Sequence, residues 1–191
     1  MREWAARSTG ETNVRYTAGH AEATGVDEGG ADVVTCAQSF HWMEPKATLR
    51  EVARILRRDG VFAAYQYEAL QTPFWQPEAA FAEVRAATAR LRAERGLDEG
   101  RRQWPVSIER LEHAGCFSEC RELSVHGAEE GNAARLVGFA LSEGSLQTLL
   151  GSDATEAEVG LDRLRAVAAE TMGDLPCPWL LHYRAFIGRL R

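Results

Sequence analysis

Apolar residues along the first 70 positions follow two rhythms, and the change from one to the other marks out the elements. The run "ADVVTCA" (31–37) is short and rich in β-branched residues, the pattern of a strand buried on both faces of a parallel sheet. From Pro45 to Arg58 the spacing becomes helical, with Leu49, Val52, Ala53 and Leu56 on one stripe. Pro45 suits the first helical position, and Arg54, Arg57 and Arg58 complement the dipole at the far end. Asp59-Gly60 then turns the chain into "VFAAYQY", so residues 31–67 predict a strand, a helix and a second strand parallel to the first. Ahead of this unit, residues 1–8 read as the end of a helix with Trp4 and Ala5 inward, and "STGETN" breaks it. Val14 and Tyr16 alternate with Arg15 and Thr17, which predicts a strand over 13–17, and "TGVDEGG" is a loop.

Beyond Tyr67 the helical rhythm dominates. The pattern predicts a long helix over 77–95, a polar loop "GLDEGRR", and a short helix "SIERLEHAG" closed by Gly115. "SECRELSVHG" reads as a strand. "NAARLVGFALSEGSLQTLL" and "TEAEVGLDRLRAVAAETMG" predict one helix each, and "CPWLLHYRAFIGRLR" a last strand with Trp179, Leu181, Tyr183 and Ala185 on one face. No internal repeat is present.

Composition narrows the partners. A net charge of -6 offers no positive field for a polyanion, so nucleic acid is not an expected partner. No apolar run approaches signal-peptide or membrane-span length, so no membrane partner is expected and a cytoplasmic location is. Four cysteines, Cys36, Cys116, Cys120 and Cys177, are too few for a disulfide framework in 191 residues. Cys116 and Cys120 with His113 and His126 match no zinc-ligand spacing, and no metal is expected.

Three stretches, in order, carry a resemblance. They are "VRYTAGHAEA", "DVVTCAQSFHW" and "LREVARILRRDGVFAAY". Together they resemble the third strand with its G-x-A-E turn, the fourth strand with its cofactor edge, and the "E-x-x-R-v-L-r-p-G-G" helix and fifth strand of class I S-adenosylmethionine-dependent methyltransferases. More narrowly they resemble the type 11, trans-aconitate methyltransferase-like group. The resemblance implies an α/β fold: a Rossmann-like, mostly parallel sheet with helices on both faces, and a helical insert after the fifth family strand. It implies one domain over 1–191, with a cofactor-side core at 1–70, a mostly helical insert with one strand at 71–150, and a C-terminal helix and last strand at 151–191.

For the site, the resemblance places His20, Ala21 and Glu22 at the adenine turn, and Cys36, Ala37 and Gln38 against the methionine part of S-adenosylmethionine. Ala21 would act through its backbone, and Glu22 is either a ligand or a solvated loop carboxylate. Ligands of open parallel sheets sit beyond the C-terminal strand ends, where the small Cys36 and Ala37 permit close approach. Phe40 and Trp42 would then wall the acceptor or contact a sulfonium through their rings, unless both are core. His41 either orients the acceptor and takes its proton as the catalytic residue, or caps the following helix or bonds a backbone carbonyl.

The family's Gly-rich "D-x-G-x-G-x-G" turn and the ribose-gripping acidic residue have no counterpart in this sequence. In the family's register the segment from Met1 to Trp4 falls on the helix after the second strand. The expectation is an N-terminally truncated copy, begun at an internal methionine or surviving as a remnant. In the family strand order 3-2-1-4-5-7-6, strand 31–37 would then have an open edge, onto which strand 13–17 slides or another chain pairs as a homodimer. The chain by itself is expected to bind cofactor weakly or not at all. Two functions follow: a methyltransferase acting on a small-molecule acceptor, or an inactive remnant serving as an interaction or dimerisation module. A dinucleotide oxidoreductase lacks its glycine fingerprint here.

Overall fold

The structure, a computed structural model, describes residues 2–97 and 104–191. In chain order it contains α1 (Arg2–Ser8), β1 (Ala31–Ala37), a 3-10 turn (Phe40–Trp42), α2 (Pro45–Ile55), β2 (Leu56–Gln71) and α3 (Trp75–Glu94). There follow α4 (Ile108–His113), β3 (Phe117–Gly131), α5 (Ala133–Ser142), α6 (Gly144–Leu150), α7 (Leu161–Thr171) and β4 (Cys177–Leu190). The strands form one sheet in the order β1-β2-β4-β3, with β1 parallel to β2. That order matches the last four strands of the expected 3-2-1-4-5-7-6 sheet, so the α/β, Rossmann-like reading holds. The polar loop "GLDEGRR" falls mostly on 98–103, outside the described residues.

Local chemistry explains where α2 begins and ends. Its N-cap is Glu44, whose carboxylate accepts from the Lys46 and Ala47 N–H groups at 3.1 and 2.7 Å, with Pro45 at the first helical position. The helix stops at Ile55, three residues short of the expected Arg58, because Leu56 is already extended and begins β2. Pairing then jumps from Ala31↔Leu56 to Val33↔Val61, and the extra β2 residues are taken up by a turn. Asp59 holds a left-handed φ of 63° in that turn, and a Cβ on Gly60 would lie 2.8 Å from the Arg57 carbonyl oxygen. The expected Asp59-Gly60 turn is therefore present, folded into the strand.

The chain divides into two compact units. Unit 1 comprises Met1–Gln66, Gln103–Leu123 and Ala185–Arg191, and unit 2 comprises Tyr67–Arg102 and Ser124–Arg184. The core of unit 1 is aromatic: Phe62 is fully buried, Phe40 meets it edge-on at 5.4 Å, and Phe117 stacks on it at 6.1 Å. Leu49, Val52, Leu111 and Phe186 complete it. In unit 2, α3, α5, α6 and α7 pack around Val84, Leu136, Leu161, Leu164 and Trp179.

β4 belongs to both units and exchanges its buried face between them. Trp179 and Leu181 are buried in unit 2, whereas Phe186 and Gly188, of opposite parity, are buried in unit 1. The expected single face through Ala185 therefore holds only for the unit 2 half.

Four other expectations fail for identifiable reasons. Residues 13–17 form no strand: no other strand lies beside them among the described residues, and Val14 and Tyr16 stay 44% and 41% exposed. Trp4 is 68% exposed rather than inward, since no core forms over that face of α1. β1 is not buried on both faces; only Cys36 is buried, Val33 is 57% exposed, and β2 is its sole ladder partner among the described residues. The predicted helix over 132–150 is two helices, because Glu143 is extended (φ -68°, ψ 119°) between Ser142 and Gly144. No described helix is long and apolar enough to cross a membrane. Among the described residues, no three of His, Cys, Asp and Glu converge to hold a metal ion.

Candidate functional site

β1 delivers its last residues to the C-terminal end of a parallel pair, with Cys36 opposite Ala64 and Ala37 opposite Tyr65. The strand is broken there by Gln38. Its N–H still donates to the Tyr65 carbonyl at 2.9 Å, but its φ of 50° is a left-handed conformation uncommon for a residue with a Cβ. Such conformations persist only where surrounding structure fixes them, and they gather at binding sites. The chain then closes a single 3-10 turn in which Trp42 N–H donates to the Ser39 carbonyl at 3.0 Å and Met43 N–H to the Phe40 carbonyl at 3.1 Å.

This turn sorts the three aromatic candidates. Phe40 is 3% exposed and packed against Phe62, so it is core and not an open wall. Trp42 is 45% exposed, and the His41 ring lies 4.7 Å from it, tilted by 50°. His41 does not cap α2, a role held by Glu44. Its backbone carbonyl accepts from the Trp104 N–H at 2.8 Å, and partial burial lowers its imidazole pKa below the ordinary value. Burial thus disfavours the charged imidazolium relative to the neutral ring.

Of the residues expected at the cofactor edge, Ala37 and Gln38 are exposed and Cys36 is not. The Cys36 thiol turns into the core, 4.0 Å from the Met43 sulfur, and burial raises its pKa. At the earlier turn, His20 and Ala23 exchange two backbone hydrogen bonds, His20 N–H to Ala23 O at 3.3 Å and Ala23 N–H to His20 O at 3.0 Å. The pair makes a tight turn with Ala21 and Glu22 at its tip, and both His20 and Glu22 face solvent.

The sequence reading missed what holds that turn. Glu51, on α2, accepts from the Thr24 N–H at 2.9 Å and from the Thr24 hydroxyl at 2.6 Å. Arg54 bridges back, binding both Glu51 oxygens at 2.8 Å and the Val26 carbonyl at 2.6 Å. These two residues are the E and R of the "E-x-x-R" stretch. A carboxylate three residues before an arginine on a helix was the available signal.

With Arg54 and then Thr24 donating to it, Glu51 has its pKa pulled down to about 2. A depressed carboxyl pKa contributes stability that is full above the ordinary carboxyl range near 4.5 and is lost as pH falls towards 2. Glu51→Gln is therefore expected to lower the urea midpoint at pH 7 and to flatten its fall between about pH 4.5 and 2. Parallel acid limbs in the two proteins would contradict this account.

The methyltransferase domain family matches residues 1–64. The uncharacterized methyltransferase YcgJ of Bacillus subtilis (strain 168) is 33% identical over 69 residues, which are 36% of this chain and 27% of that protein. The chain thus matches little more than a quarter of that relative's length. Among solved structures, one titled "Putative Type II Methyltransferase", from Anaeromyxobacter dehalogenans, superposes with a TM-score of 0.60 at 20% identity, covering 96% of this chain and 75% of that one. That likeness speaks for the fold alone. Residues 1–64 thus match the methyltransferase domain family in sequence, and nearly the whole chain shares the Rossmann-like fold of the solved structure.

Proposed function

We propose that this chain is built for S-adenosylmethionine-dependent methyl transfer to a small-molecule acceptor. The half-exposed Trp42 beside the partly buried His41, one turn beyond the open end of β1, is the observation that supports it most. As a wall for the cofactor, the segment fits in part. Ala37 is exposed and has no side chain beyond Cβ to block approach, and the 20–23 turn is rigidly tied to α2 through Thr24 and Glu51. Against this, the Cys36 thiol points away, and neither groove described in unit 1 is lined by residues 20–22 or 36–38. The described residues make a wall and not an enclosure.

Bound S-adenosylmethionine would supply an electrophilic methyl group on a sulfonium. This chain's residues would then do three things. The exposed Ala37 and the fixed Gln38 backbone would bound the methionine end, with the Ala21 backbone and Glu22 at the adenine end. The Trp42 ring would present a π face to a cation and help exclude water. His41, whose partial burial disfavours its charged form, would orient the acceptor's hydroxyl or carboxyl and accept its proton at a ring nitrogen.

Titration of the 191-residue protein with S-adenosylmethionine tests this, with heat and backbone amide shifts both followed. We expect weak binding, with Kd on the order of 1 mM or above, and shifts centred on residues 20–22 and 37–42. Tight binding would show that the wall has an enclosure after all. Shifts that avoid both segments would refute the proposed site.

A further inference from the structure

Unit 1 carries a groove that none of the proposed methyl-transfer residues lines. Its volume is about 740 Å³, within the range of small-molecule sites. Two helix faces form its sides. Lys46, Leu49, Arg50 and Ala53 recur at three- and four-residue spacing on α2, and Arg110, His113 and Ala114 do so across the end of α4. Leu49, 3% exposed, and the half-buried Cys116 make an apolar floor. Trp104 closes one end, with the Arg110 guanidinium 5.4 Å from its ring centroid.

Charge is what makes the groove specific. Lys46, Arg50 and Arg110 line it; Lys46 and Arg50 act on the neighbouring Glu44 carboxylate, and the Arg110 guanidinium lies over the Trp104 ring. The one lining carboxylate, Glu44, already accepts two backbone N–H groups as the α2 N-cap. In a chain of net charge -6, three cations against one carboxylate around an apolar floor are a local inversion of the protein's field. One guanidinium over a flat aromatic ring, with two more cations lining the same groove, suits an anion attached to an apolar, planar body.

We propose that the α2/α4 groove is a binding site for a small anionic ligand with an aromatic or apolar body, a carboxylate or a phosphate monoester. The body lies on Leu49 and against Trp104, and the anionic head meets Lys46, Arg50 and Arg110. This site is separate from the methyl-transfer reading and stands whether or not that reading does.

The test uses three probes followed by backbone amide shifts of the intact chain: 2-naphthoate, 2-naphthyl phosphate and the neutral 2-naphthamide. Both anions are expected to bind with Kd on the order of 1 mM or tighter, with shifts centred on residues 46–53 and 104–116. The amide is expected to bind about tenfold more weakly. Preference between carboxylate and phosphate identifies the head group. Lys46 and Arg50 are exposed, so the paired substitution Lys46→Glu with Arg50→Glu leaves the fold intact; it should abolish the preference for the anions and leave amide binding unchanged. Trp104→Leu should weaken all three probes. Equal affinity for anion and amide, indifference to the double charge reversal, shifts elsewhere on the chain, or no binding at about 10 mM probe would each overturn the proposal.

Discussion

Replacing Phe62 with alanine is expected to destabilise unit 1 by about 3–5 kcal/mol, the usual cost of deleting a buried aromatic ring. Phe62 has no exposed surface, and both Phe40 and Phe117 pack on its ring, so its removal takes away the shared contact of two aromatic neighbours in a close-packed core. Phe40 begins the 3-10 turn that carries His41 and Trp42, which ties core packing to the candidate site. Urea unfolding followed by hydrogen exchange should show protection lost first in β1, α2 and α4. Retained protection there, alongside a loss confined to unit 2, would mean that the aromatic cluster does not hold unit 1 together.

The second large effect is one of overfilling. A Cβ on Gly131, at the end of β3, would fall 2.0 Å from Cε2 of Trp179 and 2.4 Å from Cζ2, both in the indole of a residue 1% exposed. Trp179 cannot swing outward, because it is set in the unit 2 core with the Arg135 guanidinium 5.1 Å over its ring. Gly131→Ala is therefore expected to cost about 1–3 kcal/mol or more through displaced packing. A double-mutant cycle with Trp179→Leu isolates the clash. The alanine should be nearly neutral once the indole is gone, and an undiminished penalty in the leucine background would place the strain elsewhere.

The sequence made the strand-helix-strand unit at 31–67 legible because local rules agreed there. Periodicity, Pro45, the terminal arginines and a turn pair all indicated the same boundaries, and only the last turn of α2 was lost to β2. Residues 13–17 show the opposite case. Alternation alone suggested a strand, but a strand exists through its partners, and none of the described strands lies beside that segment. At the site, sequence could mark "SFHW" as special but could not say which rings face outward. A 3-10 turn points successive side chains about 120° apart, and that rotation separates buried Phe40 from open Trp42. The Glu51–Arg54 anchor was visible in letters but not in meaning, since its partner, Thr24, lies 27 residues away in a loop of no periodicity.

The exchange of inside and outside along β4 makes that strand a ratchet with a single tooth. Removing one residue between Tyr183 and Ala185 would invert the parity of one half relative to the other, leaving either Trp179 and Leu181 or Phe186 and Gly188 facing water. An ordinary half-buried strand can shift by two and keep its greasy side inward, but here each half faces its own core. The strand's alignment is thereby set twice over, and length changes within it should be far less tolerated than substitutions.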